Sequence, residues 1–301
     1  MATSRNRKAC TGITAPENPP WGHIGGHVWG SVEATQAERT ITALEDRLAQ
    51  SALETAELRR ELYEAAQVQR HLCGARQVRR GCFEIAAEMF PVSHISGDFF
   101  CIDDLGSATL LSIGDICGKG LMAGMWFIHI LELVRMYGVS NSDPAAALRA
   151  LNYVMCAMRP APPLTSVFLS YVDCSRRELL YSNAGHPAPV LLRADGTPQL
   201  LNEGGPVLGA IADAEFHGAS FTLEAGDTLA AFSDGITECR NERDEEFETA
   251  RIIRELLRKT PLSAAETLFS IVGAARDFAG TQRRDDDCTL LVARCLSADA
   301  A

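Results

Sequence analysis

Three apolar, strand-like runs in this 301-residue chain lead into or out of aspartate at a tight polar turn. ATLLSIGD ends at Asp115, TLAAFSDG carries Asp234 near its end, and DDDCTLLVAR begins with Asp285, Asp286 and Asp287. A fourth aspartate, Asp98, stands in the glycine turn of HISGDFF before an aromatic pair. A carboxylate at the mouth of a strand rides on a rigid element, and several converging there repel one another unless a cation intervenes. Oxygen ligands favour hard ions, magnesium or manganese, over zinc. Singly, each aspartate is ordinary turn chemistry. Four at strand ends in one chain are harder to account for in that way.

The surrounding pattern sets the fold class. Strand-like runs at 83–90, 108–113, 166–172, 179–182, 190–192, 228–232 and 289–293 alternate with helix-like stretches at 121–137, 144–158, 247–257 and 264–278. Several strands follow one another without helices between them. That order predicts an α+β domain with antiparallel sheets and outer helices, and speaks against a doubly wound parallel sheet. Upstream, Ile41, Leu44, Leu48, Ser51, Thr55, Leu58, Leu62, Ala65, Gln69 and Leu72 fall at alternating spacings of three and four, the seam of a coiled coil. Ser51, Thr55, Ala65 and Gln69 weaken that seam, as expected where register or oligomer state can change; the alternative is one amphipathic helix lying on its own domain. Residues 1–33, rich in Gly, Pro, Asn and Thr, read as a flexible leader. The expected division is therefore leader 1–33, coiled-coil linker helix 34–75, a main domain at 76–297 and a tail at 298–301.

Charge and cysteine usage exclude other classes. Lys and Arg total 28 against 39 Asp and Glu, a formal charge of −11, which opposes binding to a nucleic-acid backbone. With 47% apolar and 22% charged residues the chain reads as soluble and globular, and its longest apolar run, 121–134, is interrupted by His129 and Glu132. No signal peptide or membrane span is expected, and the expected location is cytoplasmic. The ten cysteines are scattered without C-x-x-C pairs, so free thiols in a reducing compartment are the simpler reading. Cys288 and Arg294 have a C-x5-R spacing, but an extended strand would separate them by ~20 Å, too far to cradle one phosphate. Cys73 and Arg79 share that spacing without any visible cause for thiolate activation.

Two turns remain ambiguous. GDICGKG (114–120) fails the nucleotide phosphate-loop pattern; its glycines let the chain turn beside Asp115, and Lys119 is either a solvated charge or a substrate contact. In Asn183-Ala-Gly-His-Pro, His186 is a candidate general acid, a water-orienting group, or a histidine holding the turn.

Taken in order, ISGDFF, GDICGKG, TSVFLSYVD, LLYSNAGHPAPVLL, GGPVLGAI, LEAGDTLAAFSDGITECRNERDEEF and DDDCTLLVAR resemble the motifs of bacterial PPM-type serine/threonine phosphatases, in the SpoIIE/RsbU branch. The resemblance covers roughly residues 80–295. It implies an αββα sandwich of two antiparallel sheets with two manganese or magnesium ions between them. Asp115 would bridge both metals, the Ile116 carbonyl would complete one shell, and Asp98, Asp234 and Asp286 would supply further oxygens. Asp286 is preferred to Asp285 and Asp287 because the family's ligand stands three residues before the threonine of the last strand, here Thr289. Lys119, Asn183, His186 and Asp287 are candidates to contact substrate or orient the ligands. The implied reaction is in-line attack of a metal-activated water on the phosphorus of a phosphoserine or phosphothreonine, without a protein nucleophile. The implied substrate is a phosphorylated STAS-domain anti-sigma-factor antagonist in partner-switching control of transcription, with a homodimer through residues 34–72 and an upstream sensor partner. Competing readings are a catalytically silent adaptor on the same fold and a hydrolase of small phosphate esters. Two positions depart from the family pattern: Ser96 replaces a frequent glycine, and Cys117 stands where a small polar residue is common.

Overall fold

The computed structural model describes residues 28–258 and 262–297, with side chains from residue 35. Most of the expected leader and the tail at 298–301 lie outside the described residues, but helix α1 (Val28–Leu72) already begins inside the stretch read as leader. Tertiary contacts divide the chain after Glu57. In the first unit the seam side chains Ile41, Leu44 and Leu48 are more than half exposed. The second unit, from Leu58, takes in the last turns of α1. There the buried face runs through Ala66, Gln69 and Cys73, not through the Ala65 of the heptad reading. A straight helix turns every 3.6 residues, so a face packed on a domain drifts off a 3.5-residue seam.

The elements that follow are β1 (Gln77–Arg80), β2 (Phe83–Phe90), β3 (Asp98–Asp104), β4 (Ala108–Ile116), α2 (Leu121–Ser140), α3 (Pro144–Ala157), β5 (Thr165–Asp173) and β6 (Glu178–Ala184). Then come β7 (Val190–Leu192), β8 (Pro198–Leu200), β9 (Gly204–Gly205), β10 (Ala219–Thr222), β11 (Thr228–Phe232), α4 (Asp234–Thr237), α5 (Glu248–Leu256), α6 (Ala264–Ala279) and β12 (Cys288–Cys295). Helix α3 starts where Asp143 caps the Ala145 amide and Pro144 needs no donor, and α6 starts at a Ser263–Glu266 capping box.

Two sheets result, ordered β1-β2-β12-β11-β7-β8 and β10-β6-β5-β4-β3, antiparallel throughout except where the short β9 joins β6. The alternation along β2 explains their stacking. Phe83, Ile85, Ala87 and Met89 point into the core between the sheets, whereas Ala86 joins Phe232, Leu290 and Val292 beneath α5 and α6. Helices α2 and α3 cover the other sheet with Phe127, Ile130, Leu148 and Leu151. The architecture is the expected αββα sandwich. One local expectation is corrected: Asp98 does not sit in a turn but opens strand β3, because Phe99, Phe100, Cys101 and Ile102 are all buried and carry the backbone straight into the sheet.

Candidate metal centre

Strands β3 and β4 pair so that Asp98 lies directly opposite Asp115. Like charges in cross-strand register destabilise a sheet, so this pairing needs compensation from elsewhere. Asp234 follows β11 of the other sheet, past the end of the strand as expected, and begins the short helix α4 after Ser233. Asp286 lies in the loop leading to β12. Two glycines make these approaches possible. A Cβ on Gly97 would stand 2.9 Å from the Ile116 carbonyl and 3.3 Å from Asp115 Oδ1. A Cβ on Gly235 would stand 2.0 Å from the Asp287 carbonyl.

The electrostatics show uncompensated negative charge. Burial, and then the neighbouring Asp115, push the Asp98 carboxyl well above its ordinary range, and its Oδ2 is buried without a hydrogen-bond partner. Burial followed by Asp234, Asp286 and Asp287 pushes Asp115 up to about 6. Burial and Asp286 also raise Asp234. Among the described residues, the cation beside these groups is Lys119, whose Nζ is 2.8 Å from Asp286 Oδ2 and donates to the Asp285 carbonyl at 2.9 Å. Lys119 is thus an exposed cation held at the edge of the carboxylates by Asp286.

Among the described residues, no three His, Cys, Asp or Glu side chains close on one point tightly enough to cage an ion unaided. Hard divalent ions keep several waters and accept backbone carbonyls, so they do not need a protein-only cage. The orphaned Asp98 oxygen, the Ile116 carbonyl and Asp115 carboxylate crowding the position where a Gly97 side chain would stand, and the all-oxygen donor set fit such an ion. Asp98, Asp115, Asp234, Asp286 and the Ile116 carbonyl are the groups that could hold it.

The other candidates have different places. Asp287 accepts from the Val92 amide at 2.7 Å, the Ser96 hydroxyl at 2.7 Å and the Gly97 amide at 3.1 Å, so its carboxylate is committed to holding the entry to β3. Asn183 Nδ2 donates to the His186 carbonyl at 2.9 Å and its Oδ1 accepts from the His186 amide at 2.7 Å, locking the turn. His186 is buried, with Nδ1 2.8 Å from Ser166 Oγ, and burial pushes its pKa down to about 3. An imidazole kept neutral by burial and bonded to Ser166 is placed to hold the turn. Cys288 is buried, and its thiol is pushed up to about 12, so it is no nucleophile.

Sequence reasoning missed one connection. Gln69, read as a weak seam position, is buried; its Nε2 donates to the Ser96 carbonyl at 2.7 Å and its Oε1 accepts from the Ser96 amide at 3.0 Å. Ser96, read as a departure from pattern, in turn donates to Asp287. A polar residue breaking an apolar stripe was the available signal. Gln69→Ala leaves both backbone groups of a fully buried Ser96 unpartnered, which costs about 2 kcal/mol and is expected to lower the melting midpoint by about 4–8 °C. A midpoint within 1 °C of wild type would show that the pair carries no stability.

A pH experiment isolates the repulsion. Because Asp115 has a folded pKa of about 6 against an ordinary 3.8, the folded state binds more protons in that window and loses stability as pH rises through it. His186 acts with the opposite sign, since its imidazole stays neutral in the fold while the unfolded chain is protonated below its ordinary 6.5. The difference between Asp115→Asn and wild type cancels the histidine. In chelator, the midpoint of the variant minus that of wild type is expected to grow from about pH 4 to pH 6.5 and then level off. A flat difference would refute the repulsion.

The family model for Stage II sporulation protein E (SpoIIE) matches residues 106–296. Phosphoserine phosphatase RsbU of Bacillus subtilis (strain 168) is 27% identical over 214 residues, which is 70% of this chain and 63% of that protein. Protein IcfG of Synechocystis is 27% identical over 202 residues, 58% of this chain and 32% of that one. The chain therefore spans less than two thirds of the length of these relatives. Among solved structures, the SiaA-PP2C domain of Pseudomonas aeruginosa superposes with a TM-score of 0.69 at 20% identity, covering 80% of this chain and 98% of that domain. The PP2C phosphatase domain of SpoIIE from Bacillus subtilis, with a fragment of its regulatory domain, gives 0.62 at 20% identity, covering 73% and 64%. These superpositions place the sandwich in the PP2C fold. Since the matched family model runs over more than half of the sequence and reaches from the loop before β4 to just past β12, the chain belongs to the SpoIIE family.

Proposed function

We propose that this chain is a metal-dependent phosphoprotein phosphatase that hydrolyses phosphoserine or phosphothreonine on a regulatory protein. The observation that carries this reading is Asp98 facing Asp115 across β3 and β4, with a buried, unpartnered carboxylate oxygen and with Asp234 and Asp286 close by. The relative named phosphoserine phosphatase RsbU supports it. Asp98, Asp115, Asp234, Asp286 and the Ile116 carbonyl would hold two Mn2+ or Mg2+ ions. When bound, such ions lower the pKa of water and neutralise phosphoryl oxygens.

The chain's own residues do the positioning. Asp287 keeps Ser96 and Gly97 in place and so sets where Asp98 enters the sheet. Gly235 lets Asp234 approach the Asp286–Asp287 backbone. Lys119 supplies a cation at the rim where a phosphate dianion would approach. No side chain of this set acts as a nucleophile.

The finer reading is that the substrate is a phosphorylated STAS-domain antagonist of an anti-sigma factor, within partner switching. In this reading the chain dimerises through residues 34–72 and receives its signal from a sensor partner. The exposed apolar seam of α1 supports the dimer. The test is manganese-dependent phosphate release from an aryl phosphate and from phosphorylated STAS protein. Inactivity toward both at millimolar manganese refutes the phosphatase. Preference for the small ester, uncompeted by the phosphoprotein, refutes the protein substrate. Sedimentation of the full chain as a monomer at micromolar concentration refutes the dimer.

A further inference from the structure

Cys82 lies in the turn before β2, in one sheet, and Cys174 lies in the turn after β5, in the other. They are 92 positions apart in sequence, yet their sulfurs approach to 2.7 Å. We propose that Cys82 and Cys174 are a redox site that closes reversibly into a disulfide between the two sheets.

The local backbone is built around this approach. The Cys82 amide donates to Cys174 Sγ at 2.7 Å, and Cys82 Sγ lies 3.7 Å from the Cys174 carbonyl. Gly81 has a positive φ of 50°, and a Cβ there would stand 2.4 Å from Cys174 Sγ, so only glycine leaves room for the sulfur. Both turns are anchored. The Leu296 amide donates to the Cys82 carbonyl at 2.7 Å, and the Leu223 amide donates to the Arg177 carbonyl at 2.7 Å at the far end of the Cys174 turn. Little backbone movement is therefore needed to reach the ~2.05 Å of an S–S bond.

The two thiols have unequal roles. Cys82 is buried, and burial followed by the Cys174 thiol beside it pushes its pKa up to about 12; the Cys174 contribution ends once Cys174 is oxidised, which leaves Cys82 the adjacent sulfur able to attack it. Cys174 is part-exposed, and its sulfur already accepts an amide hydrogen bond. An oxidant thus meets Cys174 first. With hydrogen peroxide, the Cys174 sulfur attacks one oxygen, the O–O bond breaks, and the departing hydroxide takes the Cys174 proton as water. The resulting sulfenic acid is attacked by the Cys82 sulfur; the S–O bond breaks, the S–S bond forms, and the second hydroxide leaves as water with the Cys82 proton. Two thiols and one peroxide become one disulfide and two waters, and a thiol reductant reverses the change by exchange.

The site is remote from the carboxylates. In the β4–β5 register Asp115 pairs with Ser166, whereas Cys174 follows Asp173 at the opposite end of β5. That is about 25 Å of strand. The bond would tie the sheets together at the end away from the metal centre, and it is expected to raise thermal stability while leaving phosphatase activity unchanged.

The experiment treats the reduced full chain with stoichiometric peroxide, blocks remaining thiols, and maps peptides without reduction. The expected result is a Cys82–Cys174 crosslink and a melting midpoint about 5–10 °C higher, with both lost on adding a thiol reductant. Cys174→Ser should lose both effects and Cys156→Ser should keep them. A crosslink between Cys82 and the neighbouring Cys295, or oxidation of Cys174 without any crosslink, overturns the proposal. Because the crosslink is read on the wild-type chain, the outcome depends neither on the folding of a variant nor on the phosphatase activity.

Discussion

Asp115→Ala is expected to reduce manganese-dependent phosphate release by about a thousandfold, equivalent to about 4 kcal/mol of transition-state stabilisation. Asp115 is the carboxylate on which the others converge: it faces Asp98 across the strand pair and feels Asp234, Asp286 and Asp287. Removing it deletes a carboxylate that the proposed function assigns to the metal site. It also deletes a buried charge repelled by its neighbours, so in chelator the variant is expected to melt no lower than wild type. The two readouts therefore move apart, with activity lost and apo stability kept or raised. A general folding defect would lower both. Manganese is expected to raise the melting midpoint of wild type and to leave that of the variant unchanged. Activity within tenfold of wild type, or a retained manganese shift, would remove Asp115 from the centre.

Gly235→Ala carries the second large effect, by geometry instead of charge. The added methyl would sit 2.0 Å from the Asp287 carbonyl oxygen and 2.9 Å from its carbon, and both atoms are backbone. No rotamer change relieves that overlap, so the start of α4 and the loop before β12 must separate. Overpacking of this kind costs about 2–3 kcal/mol and should lower the midpoint by about 4–12 °C. Because Asp234 precedes Gly235 and Asp286 precedes Asp287, both carboxylates move, and activity is expected to fall at least about a hundredfold. Gly273→Ala is the internal control. It lies within α6 with open space where its Cβ would be, so alanine should stabilise by about 0.5–1 kcal/mol. Equal, small effects at the two glycines would show that the close approach at Gly235 is not what holds α4 against β12.

Much of the architecture was legible because it depends on short-range pattern. The runs at 190–192 and 228–232 match β7 and β11 to the residue, and the starts of α2, α3 and α6 fall where the helix-like stretches began. Strand β3 was missed because its apolar run, Phe99 to Ile102, is short and opens on a Gly-Asp pair that reads equally well as a turn. Burial of that run against α2, where Phe99 meets Phe127 edge to face, settles the choice. Along the end of α1 the heptad reading placed Gln69 correctly but took Ala65 where Ala66 is buried, because the heptad count presupposes a partner helix, whereas this end packs on its own domain, the alternative reading of the stripe.

By itself the sequence determined the alternation of strands and helices, the α+β class and the presence of aspartates at strand ends, because hydrophobic periodicity and turn chemistry act over a few residues. Only the tertiary structure decided which aspartates face one another. It committed Asp287 to holding Ser96 and Gly97 while leaving Asp286 to Lys119, made His186 a buried neutral group, and joined Gln69 to the site through Ser96. Those outcomes depend on strand register and on contacts between residues 27 to 195 positions apart. Such contacts come from closing the whole sandwich, and no local pattern encodes them.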